Sequence, residues 1–369
     1  MLKQDPYPGR QLRSLLTAAL LSPCTRLIPG SAAALGGRTA WAGPLLALPP
    51  LLLFGWCTCL LRSRLKPGEG LPELALRRLG RNTGRAVLLL LGGWLLLYCG
   101  FTLRVGAERL LVTVYPRSGS VLFVLLLGLL VLRAALGPFR SLLRLGRLAL
   151  PVLLLSLGLI LLAAFRSLQP AELLPLSPAD LPALLHSAVP ALDLLSFALA
   201  ALCLFPAGAE AGGPRRIGLW TAGLALGLTA LGAAVQGRFG AALSARLSAP
   251  FFALVRNLVF FGSVERIEAL VVGLWILPDF LLGSLCLHAA QRCLRLVLGF
   301  HPGEGERPTD LGNGRFLIWL CGGAAMGLAL LPGSNTASLL FWSRTLIPSL
   351  QMAVAFLLIP ALCRAVRVG

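Results

Sequence analysis

The stretch VERIEALVVGLWILPDFLLGSLCLHAA, residues Val264–Ala290, decides the fold class. Glu265, Arg266 and Glu268 lead directly into an apolar segment long enough to cross a bilayer, and Asp279 lies near its middle. A carboxylate at membrane depth costs about 2.5–3.5 kcal/mol even on the lenient insertion scale, so such residues usually face protein or a wet cavity. The stretch therefore predicts a membrane helix that handles a polar ligand or ion.

The polar residues of this predicted helix fall on one face. With 3.6 residues per turn, that face is shared by Glu265, Glu268, Val272, Trp275, Asp279, Gly283 and Cys286. Because the face combines charged, aromatic and small side chains, we expect it to contact protein or a water-filled cavity and not lipid.

The composition of the whole chain is that of an integral membrane protein. Of its 369 residues, 57% are hydrophobic and only 13% are charged, against about 45–50% and about 25% in soluble domains. The net charge of +19 would suit nucleic-acid binding if the basic residues formed a patch. They lie instead in short loops between apolar runs, which is the pattern that sets membrane topology. We therefore exclude a nucleic-acid partner.

The chemistry-bearing residues show no catalytic or metal-binding pattern. The nine cysteines include no CxxC pair, and the three histidines, His186, His288 and His301, are scattered. No Ser-His-Asp order, phosphate-binding Walker loop or GxGxxG fingerprint is present in the sequence. The sequence therefore predicts no disulfide framework, no metal, no cofactor and no enzymatic activity.

Apolar runs bounded by Arg, Pro and Gly predict one transmembrane domain over residues 1–369 with ten spans. The spans are 11–28, 41–61, 86–112, 119–136, 147–165, 186–206, 216–235, 266–294, 315–332 and 337–363. The first run could instead be a signal peptide, with an LLTAALL core and a small-residue SAAALGG stretch after it. We favour a span, because that core is very short and is interrupted by Pro23 and Arg26.

Basic residues are concentrated in alternate connections. Residues 62–85 hold seven lysines and arginines, whereas the 166–185 loop holds a single arginine beside Glu172 and Asp180. Because positively charged loops stay in the cytoplasm, both termini are predicted to be cytoplasmic.

The two halves of the chain, 11–165 and 186–363, show parallel irregularities. Spans 1 and 6 are both interrupted, at Ser22-Pro23 and at Pro190 followed by Asp193, and spans 3 and 8 are both long and charged. Paired broken helices in a five-plus-five inverted repeat indicate a binding site at the bilayer midplane. The alternative is that these prolines serve helix packing alone.

The segment APFFALVRNLVFFGSVERIEALVVGLWILPDF, Ala249–Phe280, resembles the signature of the spore germination permease family, the B subunits of nutrient germinant receptors. The residues at matching places are Pro250, Arg256, Phe261, Gly262, Glu265, Arg266, Glu268, Trp275, Asp279 and Phe280. GFTLRVGAERLL, Gly100–Leu111, is similar to the third span of that family.

This resemblance implies the amino acid–polyamine–organocation superfamily, with a small-molecule site between spans 1, 3, 6 and 8. It also implies a multi-pass protein of the cell membrane, or of the inner spore membrane in a spore former. The implied partners are a small nutrient, membrane lipid, a larger membrane subunit and a lipoprotein subunit.

Two departures from the family pattern argue against amino-acid recognition of the usual form. Leu20–Gly30 lacks a glycine-rich turn, and Ala198 stands where an acid is common.

The predicted ligand-binding residues lie in the two interrupted segments and in the charged long spans. They are Ser22, Pro23, Cys24, Arg104, Pro190, Asp193, Leu194, Ser196, Trp275 and Asp279. A helix break frees backbone N–H and C=O groups that must then meet protein, water or ligand.

Each charged or aromatic candidate also has a structural alternative. Asp279 could pair with Arg104 or with another span only to hold helices together, and Arg104 could pair locally with Glu108 at i,i+4. Asp193 could cap a helix, and Trp275 could be packing instead of a lid over the ligand. The acidic and basic residues at 265–268 could form a charge network at the membrane interface or a gate.

Three functions fit these observations. The first is a sensor subunit that binds a nutrient and triggers germination, which the run from Glu265 to Asp279 favours. The second is an ion-coupled amino-acid transporter, since the two share a fold and fold does not decide function. The third is a membrane scaffold without a ligand.

Overall fold

A computed structural model describes residues 7–66, 68–113, 119–174, 177–206, 213–258, 267–299, 312–331 and 336–361. Within these ranges, the side chains of residues 112, 113, 267–269, 312, 313, 336, 337 and 340 are not described. The described chain consists of α-helices joined by short 3-10 and π-helical turns, and it contains no β-strand. The predicted all-α class is confirmed.

The helices follow one another with short connections. The first half contains α1 (Gly9–Gly36), α2 (Gly43–Leu46), α3 (Leu48–Ser63), α4 (Leu71–Leu79), α5 (Arg81–Thr113), α6 (Ser120–Ala135) and α7 (Phe139–Phe165). The second half contains α8 (Leu181–Ser187), α9 (Val189–Leu204), α10 (Pro214–Arg246), α11 (Pro250–Arg256), α12 (Ile267–Leu298), α13 (Gly312–Leu330), α14 (Thr336–Phe341) and α15 (Ile347–Ala353). π-helical turns lie at Trp342–Leu346 and Val354–Leu358.

In the described chain, seven segments are long and apolar enough to cross a membrane. One of them, Gly9–Ser63, covers the first two predicted spans, and two shorter apolar helices, Ser120–Ala135 and Gly314–Leu330, coincide with the fourth and ninth. The protein is therefore a multi-pass membrane protein. The count of ten spans and the division into two five-helix repeats stay predictions.

The leucine-rich runs face outward on one side and pack on the other. Leu90 and Leu155 are 76% and 65% exposed, whereas Leu88 and Leu153 are fully buried. An outer surface of large apolar side chains suits contact with hydrocarbon, which offers no hydrogen bonds. We therefore assign this surface to lipid.

The expected interruption of the first span at Ser22-Pro23 is wrong. Helix α1 runs without a break from Gly9 to Gly36 and holds Pro23 and Pro29 inside it. Transmembrane helices tolerate proline where neighbouring groups take up the backbone carbonyls. Two residues after Pro23, the Thr25 hydroxyl bonds back to the preceding turn, 2.9 Å from the Leu21 carbonyl and 3.1 Å from that of Ser22.

The sixth predicted span is interrupted, but slightly before the expected place. Helix α8 ends at Ser187 and α9 begins at Val189, so that Pro190 lies in the first turn of α9. Proline suits that position because the first N–H groups of a helix have no intrahelical partner. Asp193 lies inside α9, and the helix-cap alternative for this residue is therefore wrong.

Helices α5 and α12 pack closely along their length. Gly92 of α5 lies against Cys293 and Leu294 of α12, and the Cys99 thiol donates to the Gly283 carbonyl at 3.4 Å. Small residues at such contacts allow helix backbones to approach, which is a common basis of helix association in membranes. This approach brings the middle of α12 against the C-terminal half of α5.

The contact between α5 and α13 also depends on a glycine. A Cβ atom at Gly100 would lie 2.6 Å from the Ala325 carbonyl oxygen and 3.0 Å from the Ala329 nitrogen, whereas a Cβ at Gly93 meets nothing within 4 Å. We expect Gly100→Val to destabilise the protein by about 1–3 kcal/mol, because the helices must separate. Gly93→Val, on the same helix, is the matched control. Unfolding temperatures in detergent should fall for Gly100→Val alone, and equal values for the two variants would contradict this packing.

Candidate functional site

A buried ion pair joins α5 to α12. The Arg109 Nη1 atom lies 2.9 Å from Asp279 Oδ2, and both side chains are only 5% exposed. Asp279 faces protein, as its helical face predicted, and its ion-pair partner is Arg109 and not Arg104, which the structural alternative had named. A Cβ atom at Gly106 would lie 3.1 Å from Asp279 Oδ2, so the missing side chain at that position makes room for the carboxylate.

Ser22 of α1 completes a polar network across three helices. Its hydroxyl donates to Asp279 Oδ1 at 2.5 Å and accepts a hydrogen bond from Arg109 Nη2 at 2.7 Å. Arg109 Nη1 also donates to the Trp275 carbonyl at 3.0 Å. Hydrogen bonds to the remaining donors and acceptors stabilise a buried charge pair, and of the donor nitrogens on Arg109 only Nε has no partner among the described residues. The network therefore fixes α1, α5 and α12 relative to one another.

Trp275 fills the space beside this network. Its indole N–H donates to the Thr25 hydroxyl at 2.9 Å, and its ring centroid lies 5.0 Å from that of Phe251 and 6.3 Å from that of Phe252. The side chain is fully buried. This placement favours the packing role over a lid above a ligand.

A cavity of about 500 Å³ opens beside Arg109. It lies between the C-terminal halves of α1 and α5, the α10–α11 connection with α11, and α14 with the π-helical turn at Trp342–Leu346. Its charged lining residues are Arg26, Glu108, Arg109, Arg256 and Arg344, and its apolar lining includes Leu27, Val105, Phe252, Ala253 and Leu339. The Arg109 guanidinium lies 4.9 Å from the centroid of the Phe252 ring. Arg109 thus belongs to both the cavity and the buried network.

Arg104 and Glu108 form the local pair that their spacing suggested. Arg104 Nη2 lies 3.4 Å from Glu108 Oε2, and the arginine is almost fully buried. Glu108 lines the cavity and Arg104 does not.

The predicted residues of the sixth span form a separate buried group. Asp193, Leu194 and Ser196 are all buried in α9, and the Ser196 hydroxyl donates to the Asp193 carbonyl at 2.8 Å. Gln351 of α15 donates to the same carbonyl at 3.0 Å. Neither this group nor the half-buried Pro190 lines the cavity. Their role in ligand binding stays a prediction.

The remaining candidates in the first span are buried beside Ser22. Pro23 and Cys24 lie in α1 and are buried, and Cys24 is a free thiol. The structure thus brings Ser22, Trp275 and Asp279 together. None of the ten predicted ligand-binding residues is among the residues that line the cavity of about 500 Å³, and their role in ligand binding stays a prediction. Glu265 and Arg266, with the side chain of Glu268, lie outside the described residues.

Comparison with known proteins identifies the family. A family model described as spore germination protein matches residues 9–304. The chain belongs to the spore germination protein family. No curated protein matches the chain in sequence. A solved structure of a Na⁺-coupled sialic acid symporter, in a substrate-bound outward-open state, shares the fold with a TM-score of 0.61 and 14% sequence identity. That match covers 95% of this chain and 79% of the symporter.

For this member of the spore germination family, sequence reasoning did not assign the arginines of the cavity to a binding site; Arg256 was named only as a match to the family signature. Arg109 follows Glu108 directly, so the charge in the third span was visible but was assigned to Arg104. Arg26 was considered only as an interruption of the first span, and Arg344 was not considered. A basic residue within a span of an apolar chain was the available signal, since such residues usually face a cavity or a partner.

Proposed function

We propose that this protein is the ligand-sensing membrane subunit of a spore nutrient germinant receptor. Membership of the spore germination protein family supports a role in germination. The cavity between α1, α5 and the α10–α11 connection supports the binding of a small molecule. The observation that carries the proposal is the position of Arg109, which lines the cavity and also holds Asp279 and Ser22. A ligand in the cavity is thereby one side chain away from the contacts that fix three helices.

The proposed mechanism is a shift between two helix arrangements. A ligand group that binds Arg109 competes with Asp279 and Ser22 for the donors of its guanidinium. The arrangement in which those donors are released to the ligand then becomes more populated, because a ligand favours the state that it binds better. We propose that α1, which contributes Ser22, moves relative to α5 and α12 in this shift.

The partners that receive this change are proposed from the family. A larger membrane subunit with soluble flanks and a lipoprotein subunit would assemble with the chain in the inner spore membrane. Genes for both beside the gene for this chain would favour the sensor.

Disruption of the gene tests the proposed function. We expect spores without the chain to lose germination in response to one nutrient or nutrient class, and a wild-type copy to restore it. The measurement is the fraction of germinated spores against nutrient concentration, with a non-nutrient trigger as the control for intact spores. An unchanged response of the disrupted spores to every nutrient that triggers the wild type would contradict the proposal.

A secondary transporter is the second candidate, favoured by the fold that the chain shares with a Na⁺-coupled symporter. Fold alone does not choose between sensing and transport. Purified protein in liposomes distinguishes the two. Saturable uptake of a labelled nutrient that depends on a Na⁺ or proton gradient would favour the transporter, and binding without uptake would favour the sensor.

A further inference from the structure

The charge of the cavity lining is strongly unbalanced. Among its described lining residues, Arg26, Arg109, Arg256 and Arg344 are basic and Glu108 alone is acidic, a formal excess of three positive charges. Charges in a cavity with low-dielectric walls interact more strongly than they do in water, and such a cavity concentrates ligands of opposite sign. The lining therefore favours anions.

Among the described residues, the carboxylates in and beside the cavity are already engaged. Asp279 accepts from Ser22 and pairs with Arg109, and Glu108 lies 3.4 Å from Arg104. A zwitterionic ligand would need an acceptor for its ammonium group, and these carboxylates can supply one only by giving up their present partners. This disfavours zwitterions relative to ligands that carry only negative charge.

Two arginines of the lining have donors available for such a ligand. Arg26 of α1 is half-buried, its guanidinium lies 5.3 Å from the centroid of the Phe101 ring, and no carboxylate of the described residues lies within ion-pair distance of it. Arg344 is exposed and uses Nη2 to donate to the Ala245 carbonyl at 2.9 Å. Because a guanidinium carries five donors in a planar fork, each has donors left for a carboxylate.

The rest of the lining indicates an organic ligand. Leu27, Val105, Phe252 and Leu339 give the cavity apolar walls, and its volume of about 500 Å³ falls within the range of about 300–1,000 Å³ that is usual for small-molecule sites. An inorganic anion would leave these walls without a partner.

We propose that the cavity binds an organic acid of net negative charge, with Arg26 and Arg344 as its carboxylate contacts, in preference to a zwitterionic amino acid. This inference rests on the proposed function for its physiological meaning, but the binding preference belongs to the cavity itself.

Matched pairs of ligands test the preference on the purified full-length protein. L-lactate is compared with L-alanine, and succinate with 4-aminobutyrate, since the members of each pair are close in size and differ in charge. We expect the acid of at least one pair to bind about tenfold or more tightly than its zwitterion, as charge-assisted hydrogen bonds are gained without an unpaired ammonium. Dissociation constants from calorimetry give the comparison. Tighter or equal binding of the zwitterions, or no binding of either acid, would overturn the proposal.

Charge-neutral variants test the two contacts. Arg26→Gln and Arg344→Gln are each expected to weaken binding of the preferred acid about tenfold or more, whereas Arg26→Lys, which keeps the charge, should retain most of the affinity. Arg144→Gln, at an exposed position on α7 outside the cavity, is the matched control. If the Arg26→Gln variant does not fold, the affinity of the Arg344→Gln variant for the acid tests the assignment, because Arg344 is exposed and its substitution is tolerated more easily. Affinities of both glutamine variants equal to that of the control would overturn the assignment.

The germination assay separates this inference from the proposed function. If the protein binds the acid but disruption of its gene leaves germination unchanged, the proposed function is contradicted and the inference about the cavity is supported. If germination depends on the protein but only a zwitterion triggers it, and the purified protein binds no acid, the proposed function is supported and the inference about the cavity is overturned.

Discussion

Asp279→Asn is expected to destabilise the protein by about 3–5 kcal/mol, because it leaves Arg109 as a buried charge without a counter-charge. Both side chains of the pair are 5% exposed, so water cannot compensate for the lost partner. Unfolding in detergent, followed by temperature or by protease resistance, measures the loss. Asp180→Asn, in the partly exposed connection before α8, is the control and should leave stability nearly unchanged.

The double variant Arg109→Met with Asp279→Leu separates stability from function. Replacing a whole buried ion pair by apolar residues of similar volume is often neutral or stabilising. We therefore expect the double variant to recover most of the stability that Asp279→Asn loses. Spores that carry the double variant should nevertheless lose the nutrient response, because the network that includes Arg109 and Asp279 is gone. A double variant less stable than Asp279→Asn would show that the pair does not act as a unit.

Trp275→Ala is expected to have an effect of similar size, about 3–5 kcal/mol, since it removes a large and fully buried side chain. Trp275→Phe should cost less, because it keeps contact with Phe251 and Phe252 and loses mainly the hydrogen bond to Thr25. Trp319→Ala is the matched control, since that indole is 54% exposed on the outer surface.

The ligand affinity of Trp275→Phe distinguishes the two roles considered for this residue. A packing residue that does not line the cavity should leave affinity within a few-fold of wild type when the variant is folded. A large loss of affinity with wild-type stability would instead support a lid.

Much of this fold was predictable, because apolar length and helical periodicity carry the signal. The protein-facing side of α12 followed from the 3.6-residue spacing of Val272, Trp275 and Asp279, all of which are buried. The i,i+4 pair of Arg104 and Glu108 followed from spacing within a single helix. Both inferences needed only local geometry.

The partner of Asp279 was not predictable from local geometry. Arg104 and Arg109 both lie on α5, and the choice between them depends on how α5 is rotated against α12. That rotation is set by tertiary contacts, such as the approach of Asp279 to Gly106 and of Ala325 to Gly100. The continuity of α1 through Pro23 was missed for a similar reason, since a proline bends or breaks a helix according to its neighbours.

The cavity was missed because its lining comes from distant parts of the chain. Arg26, Arg256 and Arg344 are far apart in sequence and meet only once the helices pack. Taken singly, such arginines near span ends are typical topology signals.

We propose that the network of Ser22, Arg109 and Asp279 couples ligand binding to germination. The most direct test is the nutrient concentration for half-maximal germination in spores that carry the Arg109→Met, Asp279→Leu double variant at wild-type protein level. We expect loss of the response, or a shift of at least about tenfold to higher concentration, which corresponds to about 1.4 kcal/mol. A wild-type dose response in those spores would contradict it.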